Sequence, residues 1–208
     1  MTARSKYERM RAVHLNAIQA ALVDHTARLD WTPDQIERYR EHQLRALLCY
    51  ARQRSPFHAR RLRGLDLASA TVADLASLPM MTKAEARNCW DDIVTDRRLN
   101  RERAERILTE QEWYSYTPDG YQVFSSGGSS GIRGVYVWSW QFLVSAACLA
   151  WRMQVRAERR EPRQGPTRLA VLEAGMPPHA STPLFDVPTV AGMETVVIAA
   201  GAPFDEVR

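Results

Sequence analysis

Apolar and polar positions along the chain alternate with two periods, and the change of period divides it. From Ser5 to about Arg28 the spacing predicts a helix, with Val13, Ala17, Ala20, Ala21 and Leu29 forming its apolar stripe. Thr32-Pro33-Asp34-Gln35 is a strong helix start, a threonine cap followed by proline at the first helical position. Ile36, Tyr39, Leu44, Leu47, Leu48 and Ala51 then fall near one face, until Ser55-Pro56 stops the run. Thr82-Lys83-Ala84-Glu85 is a capping box opening a short helix. Asn100 caps another, from Arg101 to about Glu110.

Beyond these helices the period drops to that of strands. Tyr121-Gln122-Val123-Phe124 and Val135-Tyr136-Val137-Trp138 are β-branched or aromatic runs. Ser139 starts a long helix, Trp140 to about Glu161, carrying Phe142, Leu143, Ala146, Leu149 and Met153, which Pro162 to Pro166 break. Thr167–Glu173 and Thr195–Ala200 are near-continuous apolar runs, the pattern of strands buried on both faces of a parallel sheet. Gly201–Arg208 reads as a turn leading into a helix, with Asp205 and Glu206 as its acidic first residues. The order predicts an α/β protein: a helical N-terminal segment (1–112), then an incomplete α/β nucleotide-binding domain (113–208) with a partly parallel sheet flanked by helices.

The segment between the first two strands carries the candidate chemistry. In Ser125-Ser126-Gly127-Gly128-Ser129-Ser130-Gly131-Ile132-Arg133-Gly134, eight of the ten residues are glycine or serine. Glycines let a backbone turn tightly and bring its N–H groups up to an anion, and serine hydroxyls add donors that can follow polyphosphate oxygens. The same composition makes a flexible linker. A linker has polar flanks, whereas this segment is enclosed by apolar strands and followed by a helix. No lysine follows the glycines and no Gly-x-Gly-x-x-Gly is present, so the two best-known phosphate loops are excluded.

Ser126–Gly134 resembles the phosphate-binding signature of adenylate-forming enzymes, usually Thr-Ser-Gly-Ser-Thr-Gly-x-Pro-x-Gly, in the phenylacetate–CoA ligase-like branch of that superfamily. Leu44–Ala51 running into Ser55-Pro56-Phe57-His58, and Leu75–Lys83 preceding Trp90–Asp96, are similar to that branch's lead-in segments. Arg133 replaces the usual proline. The resemblance runs from about Leu44 to the C-terminus and implies the N-terminal half of an ATP-dependent carboxylate–CoA ligase. Such an enzyme holds ATP with Mg²⁺, forms an acyl-adenylate and passes the acyl group to coenzyme A. It implies phosphate contact for Ser126, Gly128, Ser129, Ser130 and Gly131, with Gly127 and Gly134 serving backbone geometry and Arg133 a cation beside the phosphates. It also implies an acyl-pocket role for His179. The motifs that hold adenine and ribose are missing from these 208 residues. So is the late catalytic lysine, because Lys6 and Lys83 both precede the loop. A truncated chain, inactive alone, is therefore expected.

Charge adds two alternatives. Twenty-six of the twenty-eight basic residues are arginines, the net charge is +4 and the pI is near 9.2. Arg152, Arg156 and Arg159 share one helix face, with Arg160, Arg163 and Arg168 following. Glu158 and Glu161 are interspersed and no nucleic-acid motif appears, so a solvated face is favoured over a nucleic-acid patch. The chain could instead dock on a complementary protein chain, or act as an arginine-rich module for acidic partners. Cys49, Cys89 and Cys148 are odd in number and widely spaced, as small buried fillers are, and His14, His25, His42 and His58 have no metal-ligand spacing. No apolar run approaches the roughly 20 residues that span a bilayer and no signal peptide opens the chain, so a cytoplasmic location is expected.

Overall fold

The computed structural model describes residues 3–111, 117, 119–126, 133–162, 164–165, 167–173 and 193–199. Seven helices are described: α1 (Ala3–Ala27), α2 (Pro33–Arg54), α3 (Pro56–Arg61), α4 (Lys83–Asn88), α5 (Trp90–Ile93), α6 (Arg101–Glu110) and α7 (Trp140–Arg160). Four strands accompany them: β1 (Tyr121–Ser125), β2 (Val135–Ser139), β3 (Thr167–Glu173) and β4 (Met193–Ala199). The protein is thus mixed α/β with a helical N-terminal part. It divides into two compact units, one of residues 1–30, 107–127 and 136–208, the other of residues 31–106 and 128–135.

In the first unit, α1 and α7 pack together and support both strand pairs. Ile18 and Leu22 of α1 meet Ala147, Cys148 and Trp151 of α7 and Met193 of β4, with Leu169 of β3 against the same cluster. Tyr7 of α1, Phe124 of β1 and Leu143 of α7 form a second cluster with Met10 and Trp138. Phe124 and Leu143 are 1% and 2% exposed, so each contributes about 1.5–3 kcal/mol of burial. The buried face of α1 is Tyr7, Arg11, His14, Ile18, Leu22 and Thr26. This corrects the stripe expected from Val13, which is exposed. The 4-3-4-4-4 spacing fits a helical face only once Arg11 and His14 are counted as buried, and a search for apolar residues alone passes over them.

The long helix α7 is capped as expected: the Phe142 amide donates to Ser139 Oγ at 3.2 Å. Its buried residues are Leu143, Ala147, Cys148 and Trp151. Of the apolar residues expected on this helix from the sequence, Phe142, Leu149 and Met153 are exposed. The helix is apolar on two opposite sides, so hydrophobicity alone does not say which faces α1.

Strands β1 and β2 pair, and β3 pairs with β4 in parallel, Thr167 opposite Met193 through Glu173 opposite Ala199. The parallel pair is covered on one face only. Leu169, Val171 and Met193 lie inward, whereas Ala170, Leu172, Val196, Arg168 and Glu194 are exposed. The expected burial on both faces does not hold: side chains alternate across a strand, and α1 and α7 occupy one side.

In the second unit, α2 starts where the capping box places it. The Gln35 amide donates to Thr32 Oγ1 and the Thr32 amide donates to Gln35 Oε1. Ser55 then ends α2 and caps α3, accepting from the His58 amide at 3.2 Å. Its hydroxyl donates to the Asp92 carbonyl at 2.7 Å. Leu48, Leu62, Leu67 and Ala70 form the core of this unit, with Leu44 and Ala51 against it. Ile36, Tyr39 and Leu47, expected on the apolar face of α2, are exposed. The Thr82 box opens α4, and Asn100 caps α6 by accepting from the Arg103 amide at 2.7 Å.

Candidate functional site

The glycine- and serine-rich segment leaves one paired strand and enters the next. Its approach is fixed by a tight turn. The Gly120 amide donates to the Thr117 carbonyl at 2.9 Å, and the Thr117 amide to the Tyr121 carbonyl at 2.8 Å. Gly120 has a φ of +82°, a conformation that side chains disfavour, and a Cβ there would lie 3.4 Å from Trp140 Cδ1. β1 then runs inward. Gln122, Val123, Phe124 and Ser125 are all buried, and Gln111 Nε2 donates to the Val123 carbonyl at 3.5 Å. Ser125 and Ser126 therefore stand at the end of a strand anchored on the core. Gly127, Gly128, Ser129, Ser130, Gly131 and Ile132 lie outside the described residues, as does His179.

The exit is held by charge. Arg133 Nη2 lies 3.0 Å from Glu105 Oε2, and Arg101 Nη2 lies 3.2 Å from Glu105 Oε1. Burial pushes the Glu105 carboxyl up, but the hydrogen bonds from Arg101 and Arg133 and their positive charges outweigh it and hold the group below the usual glutamate range. Arg101 is itself positioned: its amide donates to Asp91 Oδ1 at 2.6 Å and its Nη1 to the Arg87 carbonyl at 3.2 Å. Two residues past Arg133, the Trp90 indole donates to the Val135 carbonyl at 3.0 Å. Arg133, expected beside phosphate, is thus engaged with a carboxylate that an incoming anion would have to displace.

Sequence reasoning missed Glu105 and Trp90 as supports of this exit. The Arg101–Glu105 pair was legible as an i, i+4 spacing on a helix. The link to Arg133, 28 residues on, leaves no local signal.

The aromatic residues of β2 differ in placement. Trp138 sits between Phe124 and Phe142, at centroid distances of 4.8 and 5.0 Å, whereas Tyr136 is exposed. Two polar side chains of the same unit, His14 and Gln122, are buried. His14 stacks on Trp140 at 5.4 Å, and its pKa is lowered to about 4, first by burial and then by the charge of Arg11. Gln122 is 1% exposed and neither side-chain polar atom has a hydrogen-bond partner among the described residues.

The chain matches no family model and no curated protein. Cys49, Cys89 and Cys148 are free thiols, Cys148 buried. Among the described residues no group of three or more His, Cys, Asp or Glu could hold a metal ion, and no helix is long and apolar enough to cross a membrane.

Proposed function

We propose that the Ser125–Gly134 segment binds the phosphates of a nucleotide, and that the chain supplies the phosphate-holding part of an ATP-dependent carboxylate–CoA ligase. One observation carries the reading: a segment with eight glycines and serines in ten residues joins two strands that pair with one another. Pairing of the two flanking strands fixes both ends of the segment, which a flexible linker does not require. In this reading Ser126, Gly128, Ser129, Ser130 and Gly131 contact the phosphates, and Gly127 and Gly134 allow the backbone to approach them.

At the exit of the segment Arg133 offers an anion a planar cation with several N–H donors. ATP would bring Mg²⁺ on its phosphates, where the ion would supply charge neutralisation; in the implied reaction the carboxylate of the acid would bond to the α-phosphorus as the α–β anhydride bond breaks and pyrophosphate leaves. Transfer to coenzyme A needs groups that these 208 residues do not supply. His179 is assigned to the acyl pocket by resemblance alone.

Calorimetric titration of the chain with Mg-ATP tests the reading. Saturable binding that disappears in Gly128→Asp, with the far-ultraviolet spectrum unchanged, is expected. Binding that survives Gly128→Asp, or no heat up to ~10 mM nucleotide (a free energy weaker than about −3 kcal/mol), would reject it.

A further inference from the structure

A helix apolar on every side belongs inside a protein, and α7 is apolar on two opposite sides with only one of them covered. The covered side is Leu143, Ala147, Cys148 and Trp151. On the other, Phe142, Leu149 and Met153 are 49%, 54% and 58% exposed. With Ala146 between them the four residues recur at steps of four, three and four. That is the d-a-d-a pattern of a coiled-coil seam, and the small Ala146 lets a neighbouring backbone come close. Phe142 also leans on Trp138, which fixes one end of the stripe to β2.

The charges around this seam select its occupant. The last nine residues of α7 hold Arg152, Arg156, Arg159 and Arg160 against one acid, Glu158. Arg156 and Arg160, which continue the seam line, are taken by Asp30 at 2.9 and 3.6 Å. Arg152 and Arg159 are seven residues apart along one flank of the stripe and make no ion pair with any described residue. Flanking charges set the choice of partner helix in such packing. A second copy of α7 offers no acidic flank to meet them, because its only glutamate is bonded to Gln154 and Thr167.

We infer that the outer face of α7 is a docking surface for a protein partner that lays down an amphipathic helix, with apolar residues on Phe142, Ala146, Leu149 and Met153 and acidic residues against Arg152 and Arg159. The inference is independent of the phosphate-binding reading.

Two fluorescein-labelled designed helical peptides test it on the full chain. Both carry leucine at the seam positions, one with glutamate and the other with lysine at the flanks. The glutamate peptide should bind with Kd below about 100 μM, and the lysine peptide at least tenfold more weakly. Leu149→Glu, a change at an exposed position, should abolish binding while the far-ultraviolet spectrum and the Mg-ATP titration stay as in the parent. The double variant Arg152→Glu, Arg159→Glu should reverse the peptide preference. Equal binding of the two peptides, no saturable binding of the glutamate peptide, or binding that survives Leu149→Glu overturns the inference. So does a concentration-dependent dimer that Leu149→Glu dissociates, which would give the face to a second copy. Leu149-dependent binding to phosphatidylserine vesicles in place of the peptide would give it to a membrane surface and overturn it equally.

Discussion

Arg133 and Glu105 meet at 3.0 Å across 28 residues of chain, and this ion pair holds the exit of the glycine- and serine-rich segment against α6. Glu105 also serves Arg101, so two guanidinium groups share one carboxylate. In the proposed phosphate-binding role, a phosphate near Arg133 would compete with Glu105 for the same cation. Glu105→Gln should therefore strengthen Mg-ATP binding by roughly two- to fivefold, because it releases Arg133. Both partners are substantially exposed, so stability should fall by no more than about 1 kcal/mol. Calorimetry and urea unfolding on one preparation check both; weaker nucleotide binding would show that the pair positions the segment instead of restraining it.

His14 gives the first unit an acid-sensitive element. Its pKa is lowered from 6.5 to about 4, so the folded state binds fewer protons than the unfolded state between those values. The stabilisation is complete above about pH 6.5 and is lost as pH falls towards 4. The loss reaches up to about 3 kcal/mol if His14 acts alone. His25 and His58 are lowered too, mainly by burial, and add in the same direction. Urea midpoints at pH 7 and pH 4.5 should show a smaller drop for His14→Phe than for the parent.

Leu143 and Leu149 stand six residues apart on α7, one 2% and the other 54% exposed. Leu143→Ala should cost about 2–5 kcal/mol, since it opens a cavity between Tyr7 and Phe124. Leu149→Ala should cost under about 1 kcal/mol. Thermal unfolding of the two variants gives the comparison directly; similar losses would mean that both sides of α7 are buried in solution.

Gln122 is an apolar-sized side chain with two polar atoms in a buried strand. Gln122→Met keeps its shape and removes both desolvated groups, so unfolding should shift to the same or higher denaturant, by up to about 2 kcal/mol. A loss of more than about 1 kcal/mol would indicate that the amide is satisfied in solution by a group such as an ordered water.

The sequence by itself determined the local structure. The Thr32, Thr82, Asn100 and Ser139 caps, the stop at Ser55-Pro56 and the turn from helical to strand period each rest on neighbours within four residues. They appear where the spacing places them. The Gly/Ser segment between two strands was legible for the same reason. What only the tertiary structure decided is which apolar side of an element is covered. α7 offers two such sides and α1 takes Leu143, Ala147 and Trp151. β3 and β4 bury Val171 and Met193 and leave Leu172 and Val196 outside. Arg11 and His14 are buried although their types favour the surface, and Glu105 finds Arg133 from far along the chain. Periodicity reports that a face is apolar, but covering it depends on residues a hundred or more positions away, as when Ile18 meets Ala147. That information is absent from any local window.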